Sequence, residues 1–96
     1  MVFVHNFEGY HISYAKSAQK DLQKIDSVYA QKIKKKFQDM VHGLSNVDIK
    51  RLQGSNNNHL FRLRVGIYRA LFEVHEKTIT IYVISVEHRK DVYDTL

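Results

Sequence analysis

The sequence predicts an α+β domain in which an N-terminal helical hairpin packs on one face of a small antiparallel sheet, in the order β-α-α-β-β-β. Three observations carry this. Apolar residues recur at helical spacing between residues 15 and 44 and at strand-like alternation from residue 49 onward, so helices and strands are segregated rather than interleaved. The chain has 96 residues, enough for one core, so residues 1–96 read as a single domain. It has no proline and only four glycines, which argues against linkers and low-complexity segments.

Residues 1–9 read as a flexible extension. Gly9 then opens the alternating run Tyr10-His11-Ile12-Ser13-Tyr14, a strand. Ala15, Ala18, Leu22 and Ile25 follow at helical spacing, with Lys16, Lys20, Asp21 and Lys24 between them. Asp26-Ser27 breaks that helix and caps the next. Tyr29, Ile33, Phe37, Met40, Val41 and Leu44 form the apolar stripe of the second helix, which Gly43 is placed to stop. Ile49–Leu52 is a short strand, and residues 54–58 are a loop. Leu60–Val65 alternates, with Phe61, Leu63 and Val65 facing one way and Arg62 and Arg64 the other. Gly66 turns the chain into a strand over Tyr68–Val74, and His75-Glu76-Lys77 turns it again. Thr78–Val86 is the longest and most β-branched run, suited to a central strand. Residues 87–96 are polar, a short helix or tail.

Several function classes are excluded by inventory. Without cysteine there is no disulfide, thiolate metal site or cysteine nucleophile. The six histidines show no metal-ligand spacing, and no HExxH, GxSxG or GxxxxGK[ST] motif occurs, so no metal or cofactor is expected. No run of about 18 apolar residues crosses a membrane, and the first residues do not form a signal peptide, so a cytoplasmic location is expected.

Fifteen Lys and Arg against ten Asp and Glu leave a formal net charge of +5, which suits a polyanionic partner. Between Ile49 and Phe72 stand Lys50, Arg51, Arg62, Arg64 and Arg69 with no carboxylate. If the strands pair around Gly66, Arg62, Arg64 and Arg69 share one sheet face. Guanidinium forks there match phosphate oxygens. The alternative is that these arginines pair with Glu73, Glu87 or Asp91. Lys32, Lys34, Lys35 and Lys36 form a second cluster, readable as a solvated helix face. The stretch His88-Arg89-Lys90-Asp91-Val92-Tyr93 brings imidazole, guanidinium, ammonium and phenol together. Such groups could cleave RNA without a metal: a base takes the 2′-hydroxyl proton, cations hold the phosphate, and an acid protonates the leaving 5′-oxygen. Tyr93, beside Arg69 and Arg89, could exchange protons, with His88 as an auxiliary acid or base; ordinary packing is the alternative for either residue.

The runs Lys50-Arg51-Leu52-Gln53-Gly54, Phe61-Arg62-Leu63-Arg64, Tyr68-Arg69, Ile81-Tyr82-Val83-Ile84-Ser85-Val86 and His88-Arg89-Lys90-Asp91-Val92-Tyr93 resemble the RelE branch of the RelE/ParE toxin superfamily. The resemblance implies a small, microbial-ribonuclease-like α+β fold. It also implies a type II toxin that acts as a ribosome-dependent mRNA endoribonuclease, cutting A-site codons and inhibiting translation. Its expected partners are a cognate RelB-like antitoxin, the 70S ribosome with mRNA in the A site, and operator DNA only through the antitoxin complex. Carried over by position, Arg69 corresponds to the transition-state arginine, Arg89 to a second phosphate-binding arginine, Tyr93 to the proton-transfer tyrosine and Arg62 to a basic strand residue. Lys50, Arg51, Arg64 and Lys90 are expected to contact RNA. A further strand lysine of the family is replaced here by Leu60, which leaves the general base open among Arg64, Lys50 and His88. Two alternatives remain: a ParE-type toxin that poisons DNA gyrase, and a non-catalytic basic RNA- or operator-binding module.

Overall fold

In the computed structural model, residues 7–44, 46–52 and 59–88 are described. They form β1 (His11–Tyr14), α1 (Lys16–Lys24), α2 (Ser27–Val41), β2 (Asp48–Arg51), β3 (Leu60–Val65), β4 (Tyr68–His75) and β5 (Thr80–His88). The expected loop over residues 54–58 lies outside the described residues, as does the expected helix or tail over residues 87–96 from residue 89 on; Glu87 and His88 extend β5 instead.

The strands form one sheet in the order β1-β5-β4-β3-β2. β2, β3, β4 and β5 pair antiparallel, but β1 lies parallel to β5, with Ile12 opposite Ile81 and Tyr14 opposite Val83. The sheet is therefore mixed, not antiparallel throughout. The two helices carry the chain across the sheet from β1 at one edge to β2 at the other, and β2, β3 and β4 complete the long connection that a parallel neighbour requires. β4 takes the middle position expected for β5, which is nonetheless flanked on both sides.

One face of the sheet is apolar because alternation puts Phe61, Leu63, Val65, Ala70, Phe72, Val74, Ile81 and Val83 on the same side. The helices cover it with Ala18, Leu22, Ala30, Ile33, Phe37 and Met40. Phe72 sits at the centre, stacked on Phe61 at 5.6 Å and edge-on to Phe37 at 5.5 Å. Phe7 joins this cluster edge-to-face with Phe61 and Phe72, so the segment expected to be a loose extension contributes to the core.

Asp26 caps α2 by accepting a hydrogen bond from the Val28 amide at 2.8 Å. At the other end Gly43 adopts φ +78° while its amide and that of Leu44 donate back to the Met40 and Asp39 carbonyls. This paired closure satisfies carbonyls at the helix end and needs a left-handed residue. Leu44 consequently lies beyond the helix and is exposed, not part of the apolar stripe. Gly66 opens the two-residue β3–β4 turn at φ +59°, a conformation glycine adopts without strain.

β1 ends opposite Val83, which leaves the last residues of β5 without a strand neighbour on that side. α1 takes over. The Ser17 hydroxyl donates to the Ile84 carbonyl, and the Asp21 carboxylate accepts from the Val86 amide at 2.9 Å. These bonds lie beside the bulge near Leu71 and Phe72, where Ile84 is the extra residue of β5.

Candidate active site

The same alternation that buries one face sets a row of charges across the other. Asp48 lies opposite Arg64, Arg64 opposite Arg69, and Arg69 opposite Glu87, so four strands present the sequence minus, plus, plus, minus. A second row, two residues along, places Lys50 opposite Arg62 and Arg62 opposite Leu71. Arg62, Arg64 and Arg69 therefore share one face, as the pairing around Gly66 predicts, with Lys50 beside them.

These arginines are not left without acids. Arg64 Nε donates to Asp48 Oδ2 at 2.9 Å, and Arg62 Nη1 donates to Asp48 Oδ1 at 3.3 Å. Arg69 Nη2 donates to Glu87 Oε2 at 3.3 Å. The acid-free segment between Ile49 and Phe72 thus gains its counter-charges from either side, Asp48 and Glu87 (the latter one of the alternatives weighed above). Burial pushes the Asp48 carboxyl up, but the hydrogen bonds and charges of Arg64 and Arg62 outweigh it and hold the group below its ordinary range. Asp48 is the residue that reading along the sequence missed. The cross-strand pairing of β2 with β3 would have found it.

The guanidiniums differ in access. The Arg62 side chain is 15% exposed, Arg69 30% and Arg64 50%. Arg69 Nε is buried and has no hydrogen-bond acceptor among the described residues. Such an unmet donor costs about 1–3 kcal/mol. Among the described residues, Glu87 alone forms an ion pair with Arg69. Face to face, Arg64 and Arg69 repel one another unless an anion lies between them or acids flank them, and here acids flank them.

Two expected site residues fall elsewhere. His88 lies opposite Tyr68 and meets its ring edge-on at 5.3 Å, on the face that carries the core and not on the arginine face. It borders a hollow with Asp21, Lys24, Ile25 and Asp26. Arg51 lies opposite Phe61, so it too is directed to the helix side, at the sheet edge. Arg89, Lys90 and Tyr93 lie outside the described residues.

The lysine cluster of α2 is mostly engaged locally. Lys35 pairs with Asp39 at 3.3 Å, Lys36 donates to the Asn46 carbonyl, and Lys32 sits over the Tyr29 ring at 5.3 Å. That is how a solvated helix face behaves. Tyr14, a second phenol, is pushed up to about 12 by burial and faces Phe37 on the core side, so it stays protonated and remote from the arginines.

A two-helix layer on a five-stranded mixed sheet defines a small basic α+β protein whose uncovered face carries a row of arginines paired with acids. Residues 12–93 match the family described as ParE toxin of type II toxin-antitoxin system, parDE. The chain is 33% identical to "Toxin RelE3" of Methanocaldococcus jannaschii over 87 residues, covering 86% of this chain and 94% of that one. It is 26% identical to "mRNA interferase toxin RelE" of Escherichia coli, covering 88% and 90%. The RelB-RelE antitoxin-toxin complex from Methanococcus jannaschii contains a chain of the same fold, with a TM-score of 0.69 at 30% identity, covering 88% of this chain and 98% of that chain. The chain belongs to the RelE/ParE family of type II toxins and is of the RelE type.

Proposed function

We propose that this toxin is a ribosome-dependent mRNA endoribonuclease that cleaves A-site codons without a metal and so inhibits translation. The observation that carries the reading is the opposed pair Arg64 and Arg69, with Arg62 and Lys50 on the same open face. Phosphate oxygens fit between such guanidiniums. The activity follows from the similarity to proteins named mRNA interferase.

In this reading the ribose 2′-hydroxyl attacks the adjacent phosphate and the 5′-oxygen leaves. Arg69 stabilises the charge gathering on phosphorus, with Arg62 and Arg89 holding the same phosphate, while Tyr93 exchanges a proton. Arg64, Lys50 and Lys90 position the RNA. Arg51 and His88, on the helix side, take no part. A RelB-like antitoxin, the partner in the complexes of related toxins, covers the basic face, and a net charge of +5 would steer an acidic segment to it. Operator DNA is reached only through that complex, and the site of action is the cytoplasm, where ribosomes translate.

The test is in vitro. Purified ribosomes programmed with mRNA are incubated with the toxin, and cuts are mapped by primer extension. Codon-periodic cuts are expected, slowed about 10²–10³-fold in Arg69→Ala if that guanidinium acts on the transition state. Because the family description is that of ParE toxins, the same preparation is assayed with DNA gyrase. Gyrase-dependent DNA breaks without mRNA cuts would replace this reading with the gyrase-poison one.

A further inference from the structure

We propose that Glu87 is the general base of the cleavage reaction, taking the proton from the attacking 2′-hydroxyl. The inference rests on the endoribonuclease reading above. It answers the question that Leu60 raises by standing where the resemblance implies a lysine.

The open face offers three carboxylates among the described residues: Asp48, Glu73 and Glu87. Asp48 has both oxygens committed, one to each of two guanidiniums, and is held firmly ionised. A carboxylate so engaged anchors arginines and is a poor proton acceptor. Glu73 is bonded to His75 and lies four residues along β4 from Arg69, about 14 Å at the rise of a strand. Glu87 differs from both. It stands directly opposite Arg69, gives one oxygen to Arg69 Nη2 at 3.3 Å, and leaves Oε1 without a partner among the described residues. Its side chain is 35% exposed, open enough to meet a ribose.

Arg69 supplies the geometry. With Nε buried and Nη2 on Glu87, Nη1 is the remaining edge of the guanidinium. A phosphate bound there lies one guanidinium width from the carboxylate, which places the neighbouring 2′-hydroxyl within reach of Oε1. The step balances. Glu87 Oε1 takes the 2′-hydroxyl proton, the 2′-oxygen bonds to phosphorus, and the P–O5′ bond breaks. The departing 5′-oxygen takes a proton from water. A 2′,3′-cyclic phosphate and a 5′-hydroxyl result, and Glu87 returns its proton to solvent.

Among the described residues, the charged groups around Glu87 are Arg69 from β4, Arg64 beyond it on β3, and, from α1, Asp21 and Lys24, which border the hollow on the other side of β5.

The experiment is single-turnover cleavage of ribosome-bound mRNA across pH by wild type and Glu87→Gln, with antitoxin binding and thermal melting checking that the variant is folded. Glutamine keeps an oxygen for Arg69 but cannot take a proton. A general-base role predicts a loss of about 10²–10⁴-fold at neutral pH, the usual range for such a group. It also predicts that the acid limb of the wild-type profile disappears in the variant, while Glu87→Asp recovers part of the rate. A Glu87→Gln rate near wild type overturns the proposal. So does a reduced rate that keeps the same acid limb, because Glu87 would then only position Arg69. Wild type that leaves programmed mRNA intact removes the endoribonuclease reading itself, and this inference with it.

Discussion

The two faces of the sheet are built from the same strands and obey opposite rules. On the helix side, Leu63, Phe72, Ile81 and Val83 are fully buried, and shape and apolarity are what each position requires. On the open side, Asp48, Arg62, Arg64, Arg69 and Glu87 range from 15% to 50% exposed and are held by charge. One face supplies stability through burial. The other keeps like charges opposed, an arrangement that contributes little to stability. Substitutions on the two faces should therefore separate cleanly into losses of folding and losses of activity.

The largest effect belongs to the covered face. Phe72 touches Phe7, Phe37 and Phe61, so Phe72→Ala leaves a cavity at the point where helix and sheet meet. A loss of about 3–5 kcal/mol is expected, against a total stability of about 5–15 kcal/mol for a domain of this kind. Urea titration of the variant measures it. A shift near that of a surface substitution would mean that the cluster around Phe72 is not the organising core.

Next comes the edge where the two faces meet. Asp21 reaches from α1 to the Val86 amide, beside the residue that pairs with Arg69. Asp21→Ala leaves that amide unmet and should lower stability by about 1–3 kcal/mol. Hydrogen exchange at Val86 should quicken more than at Ala70, its partner on β4. Cleavage should slow as well, although Asp21 touches no charged group of the open face. Exchange unchanged at Val86 would show that the end of β5 is held by β4 alone, and that α1 does not help to place Glu87.

How much of this could be read along the chain differs between the faces for a physical reason. Burial is written locally: the alternation of Phe61, Leu63 and Val65 against Arg62 and Arg64 gives the face of each residue without any partner being known. Pairing is not local. Asp48 sits two residues before Lys50 and meets Arg62 and Arg64 only because β2 and β3 lie side by side. The parallel contact of β1 with β5 joins residues about seventy positions apart and leaves no periodic trace. Phe7 belongs to no repeat, so its burial had no signal either. His88 was legible but misjudged. Its neighbours in the chain suggested a place beside the arginines, yet counting from buried Val86 puts Glu87 on the open face and His88 on the covered one.

The smallest effect tests whether the open face adds to folding at all. The Asp48 carboxyl is held below its ordinary value by Arg64 and Arg62, so the unfolded chain takes up the proton at higher pH than the folded one. Stability rises with pH wherever the unfolded state binds more protons. The contribution of Asp48 is therefore complete above the unfolded pKa, about 3.9, and fades as pH falls through the lower folded value. The difference in unfolding free energy between wild type and Asp48→Asn should be under about 1 kcal/mol near neutrality, since the pair is half-exposed. It should shrink toward acid, and also in about 1 M salt, where charges are screened within about 3 Å. In the same variant Arg62 and Arg64 lose their ionic partner, so affinity for single-stranded RNA should rise even as stability falls slightly. A difference that stays constant across pH and salt would place Asp48 with the packing residues of the covered face and remove the distinction between the two.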